Sequence, residues 1–224
     1  MSQKCGPETQ LKNGNLLMKE FKLTRRLLLA AGAGLAMTAT FGMSAHAQSD
    51  TDFRNVIDAR LQAIEQILQR DLPADIKRQT LIQTTRPTID DATLASGALG
   101  RNARTLSPNQ TSEFAQIIGD MAALQEADFF LRNEGSSISV VNAEAQSRGR
   151  GSVLVQFNSP DAATSMLSYS LSGSNGGYLI YNFAIDGSNV GSNYRSAIGS
   201  LFNTHRGDAN AVIADMAQRR DQMN

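Results

Sequence analysis

Three strand-like segments follow one another between residues 152 and 185 and lead directly into an amphipathic helix, which constrains the fold more than any other stretch of the sequence. Val153, Val155 and Phe157 lie on one face of the first segment at the strand period of two. After the third segment, apolar side chains recur every three or four positions from Val190 to Phe202, as in a helix that returns to the sheet. The predicted strands are Ser152–Asn158, Ala163–Ser172 and Tyr178–Ile185.

Upstream of these strands, the apolar residues follow the helical period. An amphipathic helix is predicted from Asp52 to Arg70, and a second begins after Pro73. Thr88 is the expected cap of a third helix. Ser107 and Gln110 form a capping box for a fourth, long helix. The first half of the fold is therefore predicted to be helical.

One more strand and one more helix complete the predicted layout. Ser137–Gln146 is predicted to be an edge strand, and a closing helix is expected to start at Asp208. The strands then form a four-stranded antiparallel sheet. Helices on one face of such a curved sheet make an α+β sandwich or cone. Residues 48–224 are long enough to form this as a single domain.

Residues 1–47 have the composition of an export signal peptide and are excluded from the fold. Arg25 and Arg26 precede an apolar run, Leu27–Met37, and small residues lead to a cleavage site after Ala47. The alternative is an uncleaved membrane anchor, but the run is about half of the roughly 20 residues that a spanning helix needs. The pattern fits both the general and the twin-arginine routes. Translation starts at Met1 or at Met18. The expected location is periplasmic.

The composition of residues 48–224 excludes several functions. Cys5 lies in the leader, so this part has no disulfide, no thiol nucleophile and no cysteine for lipid attachment. His205 is its one histidine, which argues against a metal site built from histidine or cysteine, and no cofactor is predicted. Its 15 basic and 19 acidic residues give a net charge of −4. This charge argues against nucleic acid as a partner and against electrostatic docking on anionic lipid.

Residues 97–101 with 105–110, and a longer set between Tyr181 and Met216, form two motifs that resemble those of the MlaC family of periplasmic phospholipid carriers. The segment 97–101, followed by 105–110, is similar to that family's "LG…(A/S)TPxQ" junction. The end of the chain is similar to a tyrosine-containing strand, a glycine turn, a "YR" helix and a "GxDxLI" helix. The matching positions there are Tyr181, Asn182, Phe183, Gly187, Val190, Tyr194, Arg195, Ser196, Gly207, Asp208, Val212, Ile213 and Met216.

The chain departs from the family pattern at a few positions. The family usually has aspartate at the position of Asn182, valine and serine at Ser188 and Asn189, and an aromatic residue at Asn102. These differences concern partner contacts and lipid fit more than the fold. The order of the elements agrees with the family from about Phe53 to Arg219.

The resemblance implies a carrier with a cone similar to nuclear-transport-factor-like (NTF2-like) domains, and no catalysis. Family members hold phospholipid tails between sheet and helices. They hand lipid between an outer-membrane lipoprotein and porin complex and an inner-membrane ABC transporter with an MCE subunit. The residues expected to line a lipid cavity here are Leu94, Leu99, Ile117, Met121, Phe130, Val153, Val155, Phe157, Leu167, Tyr169, Tyr181, Phe183, Val190 and Tyr194.

Periodicity alone favours a closed core in which these side chains pack on one another, and only the family resemblance favours a lipid cavity. Direct contact of Met121, Phe130, Phe157 and Tyr181, with no tunnel, would contradict the cavity. Arg195 is the candidate for binding a lipid head group. Pairing with an acid such as Asp186, or with a carbonyl, is the alternative for that arginine.

Two further functional classes remain open from the sequence. The first is an isomerase or dehydratase on the same kind of cone, with Tyr181 as proton donor, but no buried carboxylate is evident beside it. The second is a non-catalytic scaffold with a filled core. His205, near Arg206 and Asp208, lies at a predicted helix junction, where a solvated cation is the commoner role.

Overall fold

The computed structural model describes residues 49–160, 163–174 and 177–224; the predicted signal peptide and the turn residues Asp161, Asn175 and Gly176 lie outside them. This part of the chain forms six α-helices and five strands. The helices are α1 (Asp50–Leu68), α2 (Ala74–Thr85), α3 (Asp91–Leu99), α4 (Pro108–Arg132), α5 (Val190–Thr204) and α6 (Ala209–Gln222). The strands are β1 (Ser137–Gln146), β2 (Arg150–Asn158), β3 (Ser165–Ser174), β4 (Gly177–Ile185) and β5 (Ser188–Asn189).

The five strands form one open antiparallel sheet in which neighbours in the chain are neighbours in space, in the order β1-β2-β3-β4-β5. The predicted strands are confirmed, with ends that differ by one or two residues. The register of β1 on β2 shifts between Val140 and Asn142, and that of β3 on β4 shifts between Ser170 and Leu171. Such bulges bend a strand and increase its twist.

The prediction of four strands is wrong, because the chain forms a fifth at the edge of the sheet. Asp186 and Gly187 both have positive φ, 49° and 80°, and reverse the chain in a tight turn. Ser188 therefore pairs with Ile185, and Asn189 with Ala184. This segment was predicted to be a simple break, since a two-residue strand has no periodicity to detect. The open sheet also does not confirm the predicted NTF2-like cone.

Side-chain caps determine where most of the helices begin. The predicted capping box of α4 is confirmed: Ser107 Oγ accepts a hydrogen bond from the backbone N–H of Gln110, and the Gln110 side chain accepts one from that of Ser107. The predicted cap of α3 is wrong. Asp90 accepts from the backbone of Thr93, whereas Thr88 lies in a 3-10 turn (Arg86–Thr88) and donates to a carbonyl. None of the helices in the described ranges is apolar and long enough to cross a membrane.

The core lies between one face of the sheet and the helices. Val155 is in register with Leu167, and Val153 with Tyr169, so that their side chains share this inner face. All four are at most 1% exposed. The alternate residues of β3, such as Ser168, lie on the half-buried outer face, as the alternation predicted.

Helix α1 approaches β2 so closely that only a glycine fits at one position. A Cβ atom added at Gly151 would lie 2.6 Å from the ring of Phe53, which is fully buried. Arg54 of the same helix donates a hydrogen bond of 2.9 Å to the carbonyl of Val140 in β1. The first helix is thus held on the inner face of the β1–β2 hairpin.

Candidate functional site

The structure brings most of the predicted lipid-lining residues into one continuous core. Tyr181 is half-buried and Arg195 is exposed. The other predicted residues are all less than 9% exposed and belong to the same packed cluster: Leu94, Leu99, Ile117, Met121, Phe130, Val153, Val155, Phe157, Leu167, Tyr169, Phe183, Val190 and Tyr194.

Three aromatic rings fill the space between α4 and the sheet. Phe129 and Phe157 lie 4.9 Å apart between ring centroids, nearly at right angles. Phe130 and Phe157 lie 5.9 Å apart, and Phe129 and Phe130 lie 6.0 Å apart. These distances are typical of aromatic pairs in direct contact. In the conformation described here, α4 and β2 are therefore packed on each other at this point.

A polar cluster that the sequence analysis missed lies inside the same core. Arg60 Nη2 of α1 contacts Glu126 Oε2 of α4 at 2.6 Å, and the Tyr169 hydroxyl of β3 donates to Glu126 Oε1 at 2.5 Å. The Arg60 guanidinium also lies over the Tyr169 ring, 5.5 Å from its centroid. The three residues are at most 8% exposed. They join both helices and the sheet at one buried point.

The environment of this cluster fixes the charge of two of its members. Burial raises the pKa of the Tyr169 hydroxyl well above its usual value, and the Glu126 carboxylate raises it further. Burial lowers the pKa of Arg60, but the charge of Glu126, the Tyr169 hydroxyl and the hydrogen bond to Glu126 together outweigh this effect, and the pKa of Arg60 is raised. Arg60 Nε and Nη1 have no hydrogen-bond partner among the described residues. Arg60 is thus a buried cation and Tyr169 a neutral phenol at physiological pH.

Glu126 is a buried carboxylate that the sequence analysis did not identify. This acid lies beside Tyr169, however, and not beside Tyr181, which was the predicted proton donor. Both carboxylate oxygens are occupied, one by Arg60 and one by Tyr169. The role of Glu126 in this arrangement is to compensate the buried positive charge of Arg60.

A sequence signal for the cluster did exist. Arg60 lies three residues after Ile57 and four before Ile64, and therefore on the apolar stripe of α1. Glu126 lies four residues before Phe130 in the same way. An arginine on the buried stripe of α1 and a glutamate on that of α4 indicate an ion pair between the two helices. The period alone did not indicate that the two stripes face each other.

Tyr181 and Arg195 lie beside the core, in an open cleft of about 380 Å³ between α3, β4 and the start of α5. Leu94 contributes the apolar part of its lining, together with small and polar residues. Asn182 closes one side by accepting a hydrogen bond of 3.0 Å from the backbone N–H of Gly191. Tyr181 is also covered by the Arg150 guanidinium, 5.0 Å from its ring centroid.

Arg195 does not pair with Asp186, which was the alternative to a ligand-binding role. Asp186 instead accepts a hydrogen bond of 2.7 Å from the backbone N–H of Met166. Within the described part of the chain, no hydrogen bond or ion pair engages the Arg195 guanidinium. The candidate head-group residue therefore faces solvent with its donors available.

The histidine of the described chain lies at the α5–α6 junction, as predicted, but it is partly buried beside Asp215 and is not a fully solvated cation. His205 Nε2 lies 3.3 Å from Asp215 Oδ2, and Asp208 caps α6 through two backbone N–H groups. Among residues 49–160, 163–174 and 177–224, no group of three or more histidine, cysteine or acidic side chains is placed to hold a metal ion.

The chain is an α+β protein of two layers, an open antiparallel sheet and the helices packed on one of its faces. The interface between the two layers is wide and apolar. A sequence model described as "MlaC protein" matches residues 54–218. The chain therefore belongs to the MlaC family, which confirms the predicted resemblance.

The fold is similar to that of a phospholipid-binding protein from Ralstonia solanacearum, solved in complex with a phospholipid. The TM-score is 0.66, and the match covers 77% of this chain and 98% of that chain at 15% sequence identity. A search of curated proteins found no match.

Proposed function

We propose that this protein is a periplasmic carrier that binds phospholipid and moves it between the outer and inner membranes. Membership of the MlaC family supports this role. The likeness of the fold to a phospholipid-binding protein over nearly that protein's full length supports it further. The observation that carries the proposal is the continuous apolar interface between α4 and the inner face of the sheet.

Binding requires that this interface separate, since its aromatic rings are in contact. Lipid tails inserted between α4 and β2 replace the contacts of Phe130 and Phe157 with contacts of the same apolar kind. Because both layers stay covered by hydrocarbon, the hydrophobic stabilisation of the core is largely kept. The Arg60–Glu126 pair lies within the helical layer and stays intact in such a movement.

For a lipid in water, hiding the tails gains far more free energy than the hydrogen bond from Tyr169 to Glu126 contributes. Exposing acyl chains to water costs about 0.8 kcal/mol per methylene, so two tails of about fifteen methylenes account for on the order of 20 kcal/mol. Opening breaks the hydrogen bond from Tyr169 to Glu126, whose net contribution is about 1–3 kcal/mol. The gain from hiding the tails therefore exceeds this loss.

We assign the head group to Arg195, which is exposed and forms no ion pair with a described residue. A guanidinium binds a phosphate oxygen pair in a bidentate manner. As partners we propose an inner-membrane ABC transporter with an MCE subunit and an outer-membrane lipoprotein and porin complex. On export, residues 1–47 are cleaved off after Ala47, which leaves one carrier domain, 48–224.

Tail contact inside the core is testable with a fluorescent reporter, since the chain has no tryptophan. The Phe157→Trp variant places an indole at the proposed tail site. We expect phospholipid with brominated acyl chains to quench its fluorescence, because bromine quenches tryptophan only at short range. Delipidated protein is mixed with such vesicles and then separated from them before the measurement.

Leu154→Trp is the matched control, because Leu154 lies on the same strand but on the opposite, half-buried face. Its fluorescence is expected to stay unquenched. Mass spectrometry of an organic extract measures whether diacyl lipid is bound at all. Bound lipid that quenches Leu154→Trp and not Phe157→Trp would contradict the proposed site. An extract without lipid after loading would contradict the carrier function.

The packed aromatic rings also fit the second interpretation, a non-catalytic scaffold with a filled core. Such a scaffold does not separate its layers. It is therefore expected to bind no lipid, and neither tryptophan variant is expected to respond to brominated vesicles.

A further inference from the structure

The surface formed by α5 and the 3-10 turn Gly100–Thr105 carries charge of one sign only. The sequence has no acidic residue in 92–112 or in 187–207. Arginine side chains of both stretches are exposed: Arg101, Arg104, Arg195 and Arg206. This arrangement contrasts with the net charge of −4 over residues 48–224. It forms a local positive field on an otherwise acidic chain.

Two of these arginines share a cleft of about 370 Å³, and one of them, Arg195, also lines the cleft of Tyr181. Arg101 and Arg195 line it together with the amides of Asn102 and Asn203. The buried side chain of Leu99 forms part of its wall. Neither arginine forms an ion pair with a described residue, whereas Arg60, Arg78, Arg86, Arg219 and Arg220 all do.

Because Gly100 has no side chain, the backbone there leaves room for the Arg195 guanidinium. Gly100 has φ 53° and ψ −124°, a conformation that side chains rarely adopt. A Cβ atom there would lie 2.6 Å from Arg195 Nη2 and 3.0 Å from Nε. The Nε–Nη2 edge of the guanidinium therefore lies against the bare backbone at the end of α3, and Nη1 is the nitrogen farther from it. An arginine seated in this way loses less conformational entropy when it binds a ligand.

We propose that Arg101 and Arg195 bind a phosphate monoester, and thus favour lipids whose head group is a bare phosphate. Two guanidinium groups match the charge of a monoester, about −1.5 to −2 at pH 7. A phosphodiester head group has a single negative charge and so balances the charge of only one of the two arginines. Asn102 and Asn203 add amide donors for the remaining oxygens. That the phosphate belongs to a lipid rests on the proposed function, whereas the affinity of the two arginines for phosphate does not.

Lipid competition tests the preference. Delipidated protein is mixed with vesicles of equimolar phosphatidylcholine and phosphatidic acid, and the two bound lipids are quantified by mass spectrometry. We expect phosphatidic acid to be enriched about fivefold, as for charge-assisted contacts in a partly solvated site. Arg101→Gln and Arg195→Gln are expected to bring the ratio close to one, and Arg101→Lys to retain part of the enrichment. Arg132→Gln, an exposed arginine at the end of α4, is the charge-matched control and leaves the ratio unchanged.

Inorganic phosphate, followed by 31P NMR, separates the two possible sources. Lipid bound without enrichment would overturn the inference and leave the carrier function standing. Phosphate binding that depends on Arg101, in a protein that loads no lipid, would support the cleft with free phosphate as its ligand, while the carrier function fails. A protein that binds neither, or variants that bind like the wild type, would overturn the inference.

Discussion

Tyr169 is the residue at which the sheet shares a buried polar contact with the helices. Its hydroxyl donates to Glu126, which also holds Arg60. Since these residues are at most 8% exposed, water does not compete for the bond. If the layers separate to admit lipid tails, this hydrogen bond must break first. The hydroxyl therefore stabilises the packed conformation relative to an open one.

Tyr169→Phe is expected to destabilise the protein by about 1–2 kcal/mol, because one Glu126 oxygen is left buried without its donor. Lipid loading is expected to become faster, since the packed conformation loses the contact that opening breaks. Urea denaturation measures the first effect, and the rate of loading from vesicles measures the second.

Tyr194→Phe is the matched control, because the Tyr194 hydroxyl is also buried but has no hydrogen-bond partner in the described chain. Its removal is expected to leave stability and loading nearly unchanged. Equal effects of the two substitutions would show that the loss of a hydroxyl, and not of the bond to Glu126, is responsible.

At the scale of single residues, the sequence predicted which side chains are buried better than it predicted how they interact. The apolar lining residues were found from their spacing, because burial and period are directly linked. The partners of Arg60 and Glu126 were not found, since the two residues lie 66 positions apart and meet only after α1 packs on α4. The sequence likewise did not show that Arg195 lacks an ion-pair partner, because this depends on Asp186 accepting a hydrogen bond from the backbone of Met166 instead.

At the scale of elements, a carboxylate connects the end of α5 to α6. Asp215 accepts from Arg219 Nε at 2.6 Å and lies 3.3 Å from His205 Nε2. The hydrogen bond from Arg219 lowers the pKa of Asp215, burial opposes this, and His205 lowers the pKa further. A carboxyl whose pKa is lower in the folded state stabilises the fold at pH values above its unfolded pKa of about 3.9.

Asp215→Asn is therefore expected to cost about 1 kcal/mol or less at pH 7, as is usual for partly exposed pairs. This difference from the wild type is lost as the pH falls through the folded pKa of Asp215, because the wild-type carboxyl is then protonated as well. Denaturation at a series of pH values measures it. Glu144→Gln, an exposed acid of β1, is the control and is expected to have no such dependence. A difference that persists at pH 2 would refute the assignment to charge.

The start of a helix was predictable where its capping residues lie close together in the sequence. Ser107 and Gln110 are three positions apart, and the box they form begins α4 where predicted. Thr88 also had the right residue type, but Asp90 is closer to the helix and accepts the bond instead. The fifth strand was missed because its pairing depends on the turn at Asp186, whose positive φ is uncommon for a residue with a side chain.

At the scale of the whole molecule, the sequence predicted two apolar layers but not the distance between them. Periodicity reports which face of an element is buried, and a packed core and a lipid-filled one bury the same faces. The structure has the layers in contact at Phe129 and Phe157. Whether the two layers separate depends on the motion of one layer against the other. A covalent link between the layers tests this motion.

A disulfide between α1 and β2 is expected to block lipid loading reversibly. A Cβ atom at Gly151 would lie 2.6 Å from Phe53 Cγ, which places the two Cβ atoms of a Phe53→Cys, Gly151→Cys pair at about 4 Å or less, close to the separation in a disulfide. Losing the Phe53 ring costs about 3–5 kcal/mol, and closing a loop of about 100 residues restores about 4–5 kcal/mol in the oxidised protein. The double variant, with Cys5→Ser, is therefore expected to fold when oxidised.

The oxidised and reduced forms of this one protein differ only in whether α1 can move away from the hairpin. We expect vesicle lipid to load the reduced form and not the oxidised one, with loading restored by dithiothreitol. Phe53→Cys alone, treated with the same oxidant, controls for the lost ring and is expected to load. If the oxidised double variant takes up brominated lipid as fast as its reduced form, the layers do not separate between α1 and β2. The tails must then enter by a path that leaves this contact in place, which contradicts opening of the two layers as rigid units.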